Sequence, residues 1–267
     1  MTDDSDFRRV AGYIEDEIGF ATSHYNDSYL KRRLSSRMRR TDTSDYDEYH
    51  DLLVDNPDEA QELLDALSIN VTGFFRNPDV WEGIRSVLRT LSAEQDRVHV
   101  WSAACADGRE PYSLAMLVLD DPRIDESKFR VYGTDINEEA LATAQEGVYH
   151  STRTIDIEEQ LGFLSNFHAY IDRDDNRFEV TQRVKRLVTF ARHDLINDGP
   201  KSGFDLVVCR NLFIYIDNEY KRPILKTIAQ SIRPEGYLVI GKAETIPPQL
   251  KSAFDVLDGR LRIYQRE

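Results

Sequence analysis

The stretch VHVWSAACADGREPYS at 98–113 leaves this chain few folds to choose from. Its apolar run, 98–104, is short and closes on small residues, as a parallel strand covered on both faces does. Gly108 then permits a sharp turn, and Pro111 suits the first turn of a helix, where its missing N–H is not needed. Strand, tight turn and helix make the first βα unit of an open α/β sheet, whose ligands bind at the carboxyl ends of its strands. The turn holds neither GxGxxG nor GxxxxGK[ST], so it lacks the glycines and lysine of a phosphate cradle. Glu110 at the helix start suits a cationic ligand group, while an ordinary βα turn without a ligand stays open from this segment alone.

The sheet continues downstream. FRVYGTD at 129–135 reads as a second strand ending in Asp135, 27 residues beyond Gly108, with a helix from Asn137. In such folds a carboxylate near that place grips ribose hydroxyls; an Asp helix cap is the plain alternative. Residues 147–186 are more than a crossover needs, and the alternation at 170–180 predicts a hairpin, hence a small antiparallel excursion. A third strand at 187–191 leads to His193-Asp194-Leu195, where a lone His near a strand end is more often structural than catalytic. A fourth strand, 204–211, again ends in polar residues, Arg210 and Asn211. A helix over 218–232, a turn at Pro234-Glu235-Gly236 and a fifth strand at 237–241 follow. Two last extended segments, 254–257 and 261–264, predict a closing hairpin, where a dinucleotide dehydrogenase would add another βαβ unit.

Before the sheet, residues 7–91 are helical in character, with apolar residues at three- and four-residue steps and breakers at Gly19, Asn26, Thr43, Asn56-Pro57 and Asn77-Pro78. A helical domain over 1–90 is expected, with the sheet domain over 91–267 and the antiparallel insertion at about 160–186. One predicted helix is basic: between Tyr29 and Arg40 lie Lys31, Arg32, Arg33, Arg37, Arg39 and Arg40, with Leu30, Leu34 and Met38 left for the core. In a chain of net charge −14 such a face suits an acidic partner, although a solvated helix face is the bland alternative. The segment SINVTGFFRNP at 68–78 sets Asn70 and Thr72 two apart beside Arg76, an amide, a hydroxyl and a guanidinium able to clamp a carboxylate; Phe74-Phe75 would anchor it. It reads equally as an interdomain linker.

The acidic balance argues against a general nucleic-acid binder, because phosphate neutralisation needs a basic surface. Cys105 and Cys209 each end a predicted buried strand, which reads as core thiols in a reducing compartment. No apolar run approaches membrane-spanning length and the acidic start lacks a signal-peptide pattern, so a cytoplasmic protein without membrane insertion is expected.

Taken in order, SINVTGFFR, VWSAACADGREPYSLAM, YGTDINEEAL, FDLVVCRNLFIYID and RPEGYLVIGKAET resemble the chemotaxis receptor glutamate methyltransferase family, CheR, over nearly the whole chain. The resemblance implies a class I (Rossmann-like) S-adenosylmethionine methyltransferase sheet with an N-terminal helical domain and a small antiparallel β-subdomain. It implies cofactor contacts from Asn70, Thr72, Arg76, Ala104, Gly108, Glu110, Asp135, Ile136, Asp194, Leu195, Arg210 and Asn211, with Glu110 at the methionine end, Asp135 on the ribose and 194–195 and 210–211 toward the adenine. Arg76 or Arg210 would orient the incoming carboxylate and Tyr215 would stand near the transferring methyl. Lys31, Arg32, Arg33, Arg37 and Arg40 would dock the acidic cytoplasmic helix of a chemoreceptor. The reaction implied gives a γ-glutamyl methyl ester and S-adenosylhomocysteine, with no metal, from a monomer. Two departures stand out: Arg109 replaces a second acidic or amide residue frequent in the family, and Asp194-Leu195 replaces an Asn-Leu pair. A methyltransferase of another acceptor, a small molecule or RNA, and a non-catalytic cofactor-binding signalling module are the alternatives.

Overall fold

The computed structural model describes residues 2–67 and 72–267, and the chain divides into two compact units, residues 1–69 with 213–221, and residues 70–212 with 222–267. Unit 1 holds α1 (Thr2–Tyr13), α2 (Asp27–Thr41), α3 (Tyr46–Asp55) and α4 (Pro57–Leu67). The predicted breakers act as punctuation. Gly19 takes φ 78° after a π-helical turn, the Asn26 carboxamide caps α2 by accepting from the Tyr29 N–H, and the Asp45 carboxylate caps α3 by accepting from the Glu48 N–H. The apolar stripes then close on one another: Phe7, Val10, Ile14, Leu30, Leu34, Tyr49, Leu53, Leu63 and Leu67 are all buried.

Unit 2 begins with α5 (Pro78–Glu94), β1 (Val98–Ala103) and α6 (Arg109–Asp120). Next come β2 (Phe129–Asp135), α7 (Glu138–Glu146), β3 (Val148–His150), α8 (Ile157–Leu161), β4 (Ile171–Asp174), β5 (Arg177–Val180), α9 (Gln182–Lys185) and β6 (Val188–Arg192). The chain ends with β7 (Phe204–Cys209), α10 (Asn218–Ser231), β8 (Ile232–Ile240), β9 (Phe254–Asp258) and β10 (Ile263–Arg266). The large sheet runs β6-β2-β1-β7-β8-β10-β9, parallel except for β10, which is antiparallel to both β8 and β9. This is the expected class I architecture, closing hairpin included. One face, through Val98, Val100, Leu206, Val208, Tyr237 and Val239, shares a core with Trp81, Ile84 and Leu88 of α5 and Leu114 and Leu117 of α6. Trp101, Val207, Cys209, Leu238 and Ile240 alternate with them and are buried on the other face.

Three boundaries differ from the sequence reading. The division of the chain falls at 69/70 rather than near 90, because the apolar stripe of α5 is buried with the sheet, not with α1–α4. A 3.6-residue stripe shows that a face is buried without showing against what. The antiparallel sheet, of order β3-β5-β4, starts at Val148, its short β3 pairing with the second strand of the hairpin, Val148 opposite Glu179, 31 residues further on. The predicted turn at 234–236 is a bulge inside β8: Glu235 takes φ 64° and the β7–β8 register slips between Phe204 and Leu206.

Candidate functional site

The carboxyl ends of β1, β2 and β7 carry the candidate site. The β1–α6 loop turns through three left-handed residues, Ala104 (φ 56°), Ala106 (φ 49°) and Gly108 (φ 88°). Gly108 is required for space as well as for its φ, since a Cβ there would lie 2.6 Å from Ala144 Cβ. The two alanines hold an uncommon conformation because the neighbouring strand pins them: Cys105 N–H donates to Thr134 O (2.9 Å) and Ala106 N–H donates to Asp135 Oδ2 (2.7 Å).

Asp135 is therefore anchored as well as placed. Its Oδ1 accepts from the Asn137 N–H at 3.0 Å, and burial, opposed by these backbone donors, pushes its pKa up. The α7 cap is a different residue, Asn137, whose carboxamide accepts from the Ala140 N–H, so capping does not account for Asp135.

Glu110, in the first turn of α6, accepts from Ser102 Oγ (2.9 Å) and pairs with Arg210 (3.3 Å). Burial raises its pKa; the Arg210 charge is the strongest opposing influence, and the Arg76 charge also lowers it. Arg109, the departure noted above, is turned away: its guanidinium pairs with Asp107 (2.7 Å) and lies 5.8 Å from the Tyr149 ring, while Tyr149 Oη donates to Asp107 O.

Arg210 is not the accessible guanidinium the sequence reading made of it. Its side chain is 1% exposed, pairs with Glu110, donates through Nη2 to Arg76 O (2.8 Å) and Asn77 Oδ1 (3.0 Å), and sits 5.7 Å from the Trp81 ring. A group so enclosed cannot meet an incoming carboxylate; it holds Glu110 and the 76–77 turn in place. Arg76 keeps the more open position, half-buried, its backbone carbonyl fixed also by Trp81 Nε1 (3.0 Å). The aromatic pair anchors this loop as expected: Phe74 and Phe75 are each 1% exposed, and their N–H groups donate to Gln160 Oε1 and Ser113 Oγ. Thr72 is half-buried in the same loop, whereas Asn70 lies outside the described residues.

Around the rest of the rim, Asn211 takes φ 62° and donates its N–H to Glu244 Oε2 (3.0 Å), which also accepts from the Gly241 N–H (2.6 Å). Ile136 is half-buried beside Asp135, and Leu195 is buried. The Asp194 carboxylate is spent on its own turn, accepting from the Ile196 and Asn197 N–H groups and Asn197 Nδ2, so its place in the site rests on backbone and on Leu195. His193 is structural: buried, paired through Nδ1 with Asp198 (3.3 Å), its pKa lowered by burial. Sequence reasoning passed over Ser102 and Glu244, whose only signals were a hydroxyl inside an apolar strand and a carboxylate soon after one.

Tyr215 and the basic helix belong to unit 1. On α2, Arg32, Arg39 and Arg40 are exposed, Arg33 is half-buried with its guanidinium 5.2 Å from the Tyr29 ring, and Lys31 pairs with Asp4. Arg37 is corrected from a docking residue to a core one: 7% exposed, it binds the buried Glu59 at 2.6 Å and Glu62 at 2.9 Å, and Tyr49 Oη donates to Glu59 as well. Met38 is only half-buried.

Comparison with known proteins gives the family. Residues 70–263 match the family model for the CheR methyltransferase, SAM binding domain, and residues 5–68 the model for the CheR methyltransferase, all-alpha domain. A chemotaxis protein methyltransferase of Listeria monocytogenes is 30% identical over 91% of this chain and 91% of its own length. The Escherichia coli chemotaxis protein methyltransferase is 29% identical over 90% of this chain and 84% of its own. Among solved structures, a TehB-like SAM-dependent methyltransferase from Corynebacterium glutamicum superposes with a TM-score of 0.40 at 13% identity, over 72% of this chain and 96% of that one. The residues present suit S-adenosylmethionine: Glu110 and Asp135 are ionisable acceptors fixed at adjacent strand ends, fit for an ammonium group and for ribose hydroxyls. The chain belongs to the CheR methyltransferase family, an all-alpha domain followed by an S-adenosylmethionine-binding methyltransferase domain.

Proposed function

We propose that this protein methylates glutamate side chains on the cytoplasmic helices of chemoreceptors, forming γ-glutamyl methyl esters, and that it works as a monomer in the cytoplasm. The observation that carries the reading is the placement, in unit 2, of two anchored carboxylates, the largely buried Glu110 and the buried Asp135, with a half-buried Arg76 whose charge reaches Glu110. Near full-length similarity to chemotaxis methyltransferases supports the acceptor. Among the described residues, no helix is long and apolar enough to cross a membrane.

S-adenosylmethionine supplies a methyl group on a positively charged sulfur, an electrophile that needs no further activation. The chain's residues then have three tasks. Glu110 and Asp135 hold the cofactor's polar ends, with Thr72, Ile136, Leu195 and Asn211 completing the rim. Arg76 fixes the acceptor carboxylate, which is ionised at neutral pH and so asks for no general base. Tyr215 is assigned to the transfer itself. Catalysis is then mainly alignment, holding nucleophile and electrophile in line. Because the protein is strongly acidic, the acceptor helix approaches against net repulsion, and the exposed Arg32 and Arg40, with Lys31 and Arg33 beside them, supply local attraction.

The test is transfer of a labelled methyl group to chemoreceptor-containing membranes, with the label's stability to base recorded. Base-labile label that disappears with Arg76→Ala, while S-adenosylhomocysteine affinity falls far less than transfer does, is the expected result. Base-stable label, or label on a small molecule or RNA instead, would overturn the choice of acceptor. Cofactor binding with no transfer to any of these would identify a signalling module without turnover.

A further inference from the structure

After β7 the chain contributes 213–221 to unit 1, where it is gripped at the start of α2. Tyr215 O accepts two hydrogen bonds from one residue, the Asn26 backbone N–H at 3.1 Å and Asn26 Nδ2 at 3.0 Å, across a sequence separation of 189 residues. Next to it, Tyr25 and Ile216 form an antiparallel bridge, Asp217 N–H donates to His24 O (2.9 Å), and the His24 and Tyr220 rings pack at a tilt with centroids 3.8 Å apart. The Tyr215 ring itself packs 4.9 Å from that of Tyr29, which is 2% exposed and donates its hydroxyl to Leu67 O (2.6 Å).

Asn26 thus does two things with one carboxamide. Its Oδ1 caps α2 by accepting from Tyr29 N–H, and its Nδ2 holds the peptide that carries Tyr215. Two donors on one carbonyl fix the orientation of that peptide plane, and Tyr29 limits where the ring can go. The guanidiniums of Arg32 and Arg33 lie 5.6 and 5.2 Å from the same Tyr29 ring, so the basic face and Tyr215 are parts of one packed cluster.

We infer that Asn26 is a positioning residue for methyl transfer: from the cap of the docking helix it sets the placement of the Tyr215 ring, so that α2 both receives the acceptor helix and holds a ring assigned to the transfer. The inference rests on the reading of Tyr215 under Proposed function. Its chemical content is that the carboxamide's donor half serves turnover while its acceptor half serves folding.

Asn26→Ser and Asn26→Asp separate the halves, because Ser and Asp cap helices about as well as Asn, while an ionised Asp has no donor for Tyr215 O and the Ser hydroxyl, one bond closer to the backbone than Asn Nδ2, falls short of it. The experiment measures kcat and KM on receptor-containing membranes, S-adenosylhomocysteine affinity by calorimetry, and thermal unfolding. The expected result is a kcat lower by about five- to tenfold in both variants, with cofactor affinity and melting temperature close to the parent. Parental kcat in both variants, with Tyr215→Phe impaired, overturns the positioning role while sparing the reading of Tyr215. Parental kcat in Tyr215→Phe overturns that reading itself. Should Asn26→Ser melt early, Asn26→Asp, whose charge favours the helix start, decides alone.

Discussion

Replacing Arg210 by Met keeps much of its volume and removes its charge, leaving Glu110 without its ion-pair partner. Of the groups Arg210 touches, Arg76 O retains the Trp81 Nε1 donor, and Asn77 is exposed, so water replaces the bond to its carboxamide. The loss therefore concentrates on Glu110, whose side chain is 13% exposed and keeps the Ser102 hydroxyl as its donor and the more distant Arg76 charge. Removing one partner of a buried pair typically costs about 3–5 kcal/mol, and the residual exposure puts this site at the low end, about 3 kcal/mol near neutral pH. The sign with pH follows from the direction of the Glu110 shift. Its folded pKa already lies above the ordinary value, and losing Arg210 raises it further. Stability tied to a raised carboxyl pKa is fully present below the unfolded pKa and is lost as pH rises through the folded one, so the deficit of Arg210→Met shrinks on acidification. Urea unfolding at about pH 7.5 and about pH 5.5 reads the difference, and Glu110→Gln placed in the same chain should recover most of the stability at the higher pH. Arg210→Met as stable as the parent at both, with S-adenosylhomocysteine affinity unchanged, would refute the account of Arg210 as the support of Glu110.

Three further outcomes are expected. Because burial raises the pKa of both Glu110 and Asp135, S-adenosylhomocysteine affinity should decline on acidification while exposed carboxylates are still ionised; calorimetry across that range checks it, and a flat profile counts against both as cofactor contacts. Gly108→Ala should destabilise the protein by about 2 kcal/mol or more and weaken cofactor binding, since it adds left-handed strain and a Cβ 2.6 Å from Ala144 Cβ; unchanged thermal unfolding would contradict the described loop. Arg37→Met should lower stability by about 3 kcal/mol by stranding Glu59, whereas Arg32→Glu with Arg40→Glu should stay within about 0.5 kcal/mol of the parent and raise KM for receptor membranes; the reverse pattern in unfolding and methylation assays would restore Arg37 to the docking face.

The sequence by itself determined the central strands of the large sheet. Alternation, glycine and caps are local signals, and 98–103, 129–135 and 204–209 lie where their apolar runs put them, with Asp135 closing its strand, Arg210 just past its own and Glu110 opening the helix after the first. It determined too that Phe74-Phe75 anchors a loop and that 31–40 is basic. What each charge does was settled only by contacts between segments far apart in the chain. Arg37 and Arg40 are three residues apart on one helix, yet only Arg37 meets Glu59 and Glu62, which arrive on α4. Arg210 reads as a site residue at a strand end until Glu110, 100 positions earlier, and the 76–77 turn close over it. The same holds for α5, whose stripe announces burial but not its partner, and for Asn26, whose sequence marks a cap while its second bond depends on Tyr215. Backbone propensity acts over a few residues, whereas burial and ion pairing depend on what the fold brings alongside. The elements were therefore legible in advance, and the division of labour among the arginines was not.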